Sequence, residues 1–127
     1  MKTSYDYTKD EKYNSYEKLV YESLIKLGFR ITNVGTLYLK DLILFVYFND
    51  YYEINLTKIV NDFMKINNID YISSRTFINC MIYSINNYDL NLFKNDFKSV
   101  FNIEYDYFYC SVKNLIVLYV NMLDKIK

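Results

Sequence analysis

The side chains that carry most enzyme and metal chemistry are scarce in this sequence. None of its 127 residues is histidine, which excludes every histidine-based triad and general base. Cys80 and Cys110 form no CxxC pair and are too few for a zinc site. The acidic pairs Asp6/Asp10 and Asp10/Glu11 lie in a polar N-terminal stretch and are typical of a solvated surface. The sequence therefore predicts a protein that is not an enzyme and has no metal or other cofactor.

The sixteen tyrosines are the other chemically distinctive residues. Aromatic rings stack on the bases of single-stranded nucleic acids, so a base-stacking surface is one interpretation. However, the chain has no Pro, Trp, Ala or Gln and is rich in Asn, Ile, Lys, Tyr and Phe, whose codons are rich in A and T. An AT-rich genome explains this bias, and we favour core and half-buried positions for the tyrosines.

The composition indicates one ordered domain. With 52% hydrophobic residues and zero formal net charge, the chain lacks both hallmarks of disordered proteins. We expect residues 1–10 to form a flexible polar tail and residues 11–127 to form a single helical domain. The longest apolar run, Leu115–Val120, is far shorter than the roughly 18 residues of a membrane span. No apolar stretch typical of a signal peptide follows Lys2, so we predict a cytoplasmic protein with no membrane association.

Apolar residues recur at three- and four-residue steps and predict six helices in an all-α fold. The predicted inward-facing residues are, helix by helix, Tyr13, Tyr16, Val20, Leu24 and Leu27; Leu37, Leu39, Leu42, Ile43, Phe45 and Val46; Ile59, Phe63 and Ile66; Phe77, Cys80, Met81, Ser84 and Ile85; Leu92, Phe93, Phe97 and Val100; and Leu115, Ile116, Leu118, Tyr119 and Leu123.

Polar residues and glycines predict where these helices begin and end. Gly28 is expected to end the first helix, and residues 29–35 to form a connection that Gly35 closes. The segment 36–48 also suits a strand, but its length favours a helix. Asn55, either Ser73 or Ser74, and Ser111 are expected to cap the third, fourth and last helices.

One part of the sequence resembles a known family. Leu27-Gly28 is followed by the block 35–43, Gly-Thr-Leu-Tyr-Leu-Lys-Asp-Leu-Ile, and then by Val46-Tyr47. The C-terminal effector domain of the stage-zero sporulation response regulator has Ile-Gly, then Gly-Tyr-Leu-Tyr-Leu-Arg-Glu-Ala-Ile, then Val-Tyr, at the same spacing. Leu56-Thr57-Lys58-Ile59 is similar to the Ile-Thr-Lys-Val of that family. Ser74-Arg75 and the run Leu115–Val120 extend the similarity over most of the chain.

This resemblance implies a compact six-helix domain with an embedded helix-turn-helix that binds double-stranded promoter DNA. A helix-turn-helix places its second helix in the major groove, which here is the helix predicted over residues 73–87. The implied function is that of a small transcriptional regulator of the sporulation type. The family's regulator also carries an N-terminal receiver domain, and this sequence contains none.

The same interpretation predicts which side chains contact DNA. Arg75, near the start of the second motif helix, is expected to reach a guanine edge or a phosphate, and Asn79 to pair with adenine. Lys58, together with Lys40 and Lys65, is expected to contact the phosphate backbone. Solvated surface side chains are the alternative interpretation of all four cations.

The loss of charge in that helix favours a second function. Ile78, Asn79, Ile82 and Tyr83 occupy positions where the family has acidic, basic, basic and histidine residues, and Arg75 is the only remaining charge. Ile78, Ile82 and Tyr83 form either a protein-binding patch or part of the core in a shifted packing. The alternative is therefore a diverged copy that no longer binds DNA and instead forms a homodimer or binds the full-length sporulation regulator.

Overall fold

The computed structural model describes residues 11–51, 53–105 and 108–126, and these contain six helices and no strand. The all-α prediction is confirmed, and the strand alternative for residues 36–48 is wrong. The predicted tail, residues 1–10, lies outside the described residues. The helices are α1 (Glu11–Lys26), α2 (Val34–Asn49), α3 (Leu56–Ile66), α4 (Ser74–Asn86), α5 (Leu90–Phe101) and α6 (Val112–Ile126).

Helix α2 is the centre of the fold. It packs against α1, α3, α4 and α6, and Leu39, Leu42, Ile43 and Leu44 on it are fully buried. A helix with neighbours on several sides needs apolar residues around most of its circumference, as predicted for this segment. Leu37 is the exception, since it lies half-exposed beside a groove between α1 and α2.

Side-chain caps fix the starts of α3, α4 and α6. The Asn55 side chain accepts a hydrogen bond from the backbone N–H of Lys58 at 3.2 Å, as predicted for the start of α3. Ser73, rather than Ser74, caps α4 and accepts from the backbone N–H of Thr76 at 3.1 Å. Each bond satisfies a helix N–H that has no partner within its own helix. Ser111 caps α6 in the same way.

The two glycines have different roles. Gly28 follows α1 with a φ of 97°, a left-handed conformation that costs glycine little, as predicted. Gly35 was expected to close a connection, and this prediction is wrong because it lies in the first turn of α2. A Cβ atom at Gly35 would stand 1.9 Å from the Cys80 carbonyl oxygen on α4. Gly35 therefore allows the backbones of α2 and α4 to approach closely.

The predicted core is largely confirmed, with a few displaced positions. Phe93, Phe97 and Phe101 form the buried stripe of α5, whereas Leu92 is 43% exposed. The steps of four between the phenylalanines leave Leu92 on the flank of the stripe. Six other predicted core residues are half-buried rather than buried: Tyr13, Phe63, Ile66, Cys80, Val100 and Leu118. In α3 the buried stripe is Ile59, Val60 and Met64. No helix of the described chain is long and apolar enough to span a membrane.

Candidate functional site

Helices α3 and α4 are consecutive and pack against each other. Seven residues, 67–73, connect them, and Asn68 in this connection has a φ of 55°. The rings of Phe63 and Phe77 meet across the pair, with centroids 5.7 Å apart. Phe77 also stacks on Tyr38 of α2 at 4.0 Å. These contacts hold α4 with one side on α2 and α3 and the opposite side in solvent.

The solvent side of α4 is the candidate site and is called the α4 face below. It consists of exposed residues at helical spacing: Arg75, Thr76, Asn79, Ile82, Tyr83 and Asn86. At about 100° per residue, Asn79 lies near the middle of this face, with Arg75 and Tyr83 one turn away on either side. The side chains of Arg75 and Asn79 form no hydrogen bond or ion pair with any described residue. Both are therefore available to a ligand.

The predicted apolar patch is divided by the structure. Ile82 and Tyr83 belong to the α4 face and are 43% and 59% exposed. Ile78 is half-buried and packs against the core. The alternative prediction, that all three residues belong to the core, therefore holds in part for Ile78 and not for Ile82 and Tyr83.

Lys40 lies apart from the α4 face. Its ammonium group pairs with Glu17 of α1 at 2.9 Å and with Asp41 at 3.1 Å, and its side chain is only 14% exposed. Burial disfavours the charged form, but the hydrogen bond to Glu17 and the charge of Asp41 outweigh it and raise the pKa of Lys40. The charge of Lys40 is thus neutralised within the fold, and its contact with phosphate stays a prediction.

The two lysines of α3 differ in their partners. Lys58 is mostly exposed and pairs with Asp62 one turn later, at 3.0 Å. Asp62 also accepts a hydrogen bond from the Tyr51 hydroxyl at 2.8 Å. The slight burial of Asp62 opposes ionisation, but the hydrogen bonds from Lys58 and Tyr51 hold its pKa below the usual value. Lys65 is exposed and has no ion pair among the described residues.

Sequence reasoning missed Arg30, which the structure brings to the end of α4. Its Nε donates a hydrogen bond to the Asn87 carbonyl, 2.9 Å away, just beyond the last turn of α4. The chain has two arginines, and they lie at opposite ends of this helix. In the sequence, only its residue type marks Arg30 as a candidate for binding an anion. Its place at the end of α4 could not be predicted, because the connection between α1 and α2 is remote from α4 in sequence.

A groove of about 410 Å³ runs along one side of the α4 face. It lies along the contact of α4 with the start of α2 and is lined by Thr32, Asn33, Val34, Gly35, Thr76, Asn79, Cys80 and Tyr83. The side-chain amide nitrogen of Asn33 is buried there without a hydrogen-bond partner among the described residues. The α4 face therefore continues into a concave and largely apolar surface.

The remaining reactive groups do not form a second site. The described residues contain no cluster of His, Cys, Asp or Glu that would hold a metal ion. Burial raises the pKa of Cys110 to about 11, although a hydrogen bond with Tyr88 opposes this shift. A thiol of this kind is protonated at neutral pH and is a weak nucleophile.

No family model, no curated protein and no solved structure matches this chain. The resemblance to the sporulation effector domain therefore stays a prediction from the sequence.

Proposed function

We propose that this protein is a small helix-turn-helix transcriptional regulator that acts in the cytoplasm and inserts α4 into the major groove of promoter DNA. The observation that carries the proposal is the pair Arg75 and Asn79, which α4 exposes one turn apart in its N-terminal half, after the Ser73 cap. In helix-turn-helix proteins, the N-terminal residues of the second helix contact base edges. The similarity of the sequence to the sporulation effector domain supports the same role.

The chemistry of the α4 face suits direct reading of bases. Asn79 offers a carboxamide that pairs bidentately with the N6 and N7 atoms of adenine. Arg75 offers a planar guanidinium to guanine or to a phosphate. Since Asn79 lies near the middle of the face, it is the side chain best placed for the floor of the groove.

Phosphate contacts would come from α3. Lys65 is exposed and unpaired within the described residues, and the exposed pair of Lys58 with Asp62 is of a kind that contributes little stability. Lys58 can therefore exchange its carboxylate for a phosphate. With Arg75, this gives three contacts, each of which adds about −0.9 to the slope of log K against log salt. We expect a slope of about −3 per domain, well below that of strongly basic repressors.

The proposal is tested by selecting from a random duplex library at low salt and measuring the affinity of the selected sites by fluorescence anisotropy. We expect enrichment of a site containing adenine, and we expect Asn79→Ala to relax the preference at that position by about 1–3 kcal/mol. The matched control is Asn95→Ala at an exposed position of α5, which should leave the preference unchanged. If neither selected duplexes nor AT-rich and sporulation-type promoter fragments form a complex at low salt, the proposal is wrong.

Exposure of Ile82 and Tyr83 favours a second candidate function, binding of a protein through the α4 face. Contiguous exposed apolar residues often mark interfaces, and the partner would be a second copy of this chain or the full-length sporulation regulator. Sedimentation of the purified protein tests this idea. A dimer that Ile82→Ser disrupts, in a protein that does not bind DNA, would support this function over the first.

A further inference from the structure

The two arginines of this chain bracket the candidate recognition helix. Arg75 lies in the first turn of α4, and Arg30 is joined to the Asn87 carbonyl just beyond its last turn. Helix α4 has 13 residues and is therefore about 20 Å long at the usual rise per residue. The major groove of B-form DNA is about 12 Å wide. A helix of this length that crosses the groove brings its two ends near the phosphates on both sides.

We infer that Arg30 is a second DNA-backbone contact, and that Arg30 and Arg75 bind phosphates on opposite sides of the major groove in which α4 lies. The inference rests on the proposed function, since it requires α4 to be the helix that enters the groove. It adds a residue from the connection between α1 and α2, outside the helix-turn-helix itself.

The position of the Arg30 side chain supports this contact. Its hydrogen bond to Asn87 uses only Nε–H, so the four N–H groups of the two terminal nitrogens stay available for a phosphate. Arg30 is exposed and has no ion pair with any described carboxylate. Asp89, two residues beyond Asn87, caps α5 by accepting from the backbone N–H groups of Asn91 and Leu92. The guanidinium of Arg30 therefore has no ion-pair partner among the described residues.

Arg30 also lies on the same flank of α4 as the groove beside the α4 face. Asn87, to which Arg30 is bonded, donates from its own side chain to the carbonyl of Tyr83, which lines that groove. The connection that carries Arg30 continues through Thr32 and Asn33, which form the opposite wall. Arg30 therefore lies at the end of α4, on the flank that carries this groove.

A purely structural role for Arg30 must be distinguished from DNA contact, because a cation at a helix C-terminus also stabilises the helix. The experiment compares Arg30→Gln, which removes the charge, with Arg30→Lys, which keeps it. Lys94→Gln on α5 is the matched control, since it removes a charge from an exposed lysine of a helix that packs on α1 and α6. Affinity for one selected duplex is measured by anisotropy across a salt series, and thermal unfolding is measured for each variant.

We expect Arg30→Gln to make the salt slope less negative by about 0.9 and to weaken all duplexes alike, by about eightfold at 0.1 M salt. Arg30→Lys and Lys94→Gln should keep the slope of the unmodified protein. If that protein binds DNA and Arg30→Gln leaves its slope unchanged, the inference is wrong and the proposed function stands. If Arg30→Lys makes the salt slope less negative to the same extent as Arg30→Gln, the effect comes from the fold of the helix end, and the inference is again wrong. If the unmodified protein binds no DNA, both fail.

Discussion

Replacing Gly35 by alanine adds one methyl group at the point where α2 meets α4. In an open helix this change stabilises a protein by up to about 1 kcal/mol, because alanine favours the helical conformation. Here the new Cβ would stand 1.9 Å from the Cys80 carbonyl oxygen and 2.5 Å from the Ser84 hydroxyl, although real Cβ atoms essentially never come within 3.0 Å of such neighbours. The two helices would have to move apart by about 1 Å. Overpacking of this kind typically costs about 1–3 kcal/mol.

The obstacle at Gly35 is the backbone of another helix, which cannot rotate away as a side chain can, so we expect the upper end of this range. After the gain in helix propensity, the net loss is about 2 kcal/mol, which lowers the Tm of a domain of this size by roughly 6–10 °C. Thermal unfolding followed by circular dichroism measures this shift. Asn95→Ala controls for helix propensity at an exposed site and should not lower the Tm. A Gly35→Ala protein that melts at or above the unmodified protein would refute the reasoning.

Two further predictions concern buried polar groups. Burial raises the pKa of Cys110 to about 11, so only about 0.1% of this thiol is ionised at pH 8. In a timed alkylation assay on the Cys80→Ser protein, we therefore expect Cys110 to react far more slowly than a free cysteine. Reaction at the rate of the unfolded protein would contradict this expectation. The hydroxyls of Ser23 and Tyr119 lie 2.6 Å apart, and Ser23 donates to the Val20 carbonyl, so Tyr119 is the donor between them. Ser23→Ala leaves the buried Tyr119 hydroxyl without an acceptor, so we expect it to lower the free energy of unfolding in urea by about 1–3 kcal/mol. Tyr119→Phe should lower it by less. The reverse order would mean that the donor has been misassigned.

Local sequence determined most of the helical architecture. The spacing of apolar residues is a property of each segment alone, and it placed the core stripes of α1 and α6 with little error. In α3 it placed Ile59 correctly but missed Val60 and Met64, which are buried there instead of Phe63 and Ile66. Caps are also local, since a side chain such as Asn55 bonds to a backbone N–H only three residues away. For the same reason Gly28, whose conformation depends on the turn it forms, was predicted correctly. Such features need no knowledge of which helices become neighbours.

Tertiary structure decided the composition of the candidate site. The ion pair of Lys40 with Glu17 depends on α1 and α2 lying side by side, and together with the adjacent Asp41 it neutralises a charge that the sequence presents as free. Arg30 reaches the end of α4 only because the connection after α1 packs there, 57 residues away along the chain. Gly35 is consistent locally with either a turn or a helix, and only the close approach of α4 shows why a side chain is not tolerated. These roles arise from contacts between segments distant in sequence, and no periodicity within a single segment records them.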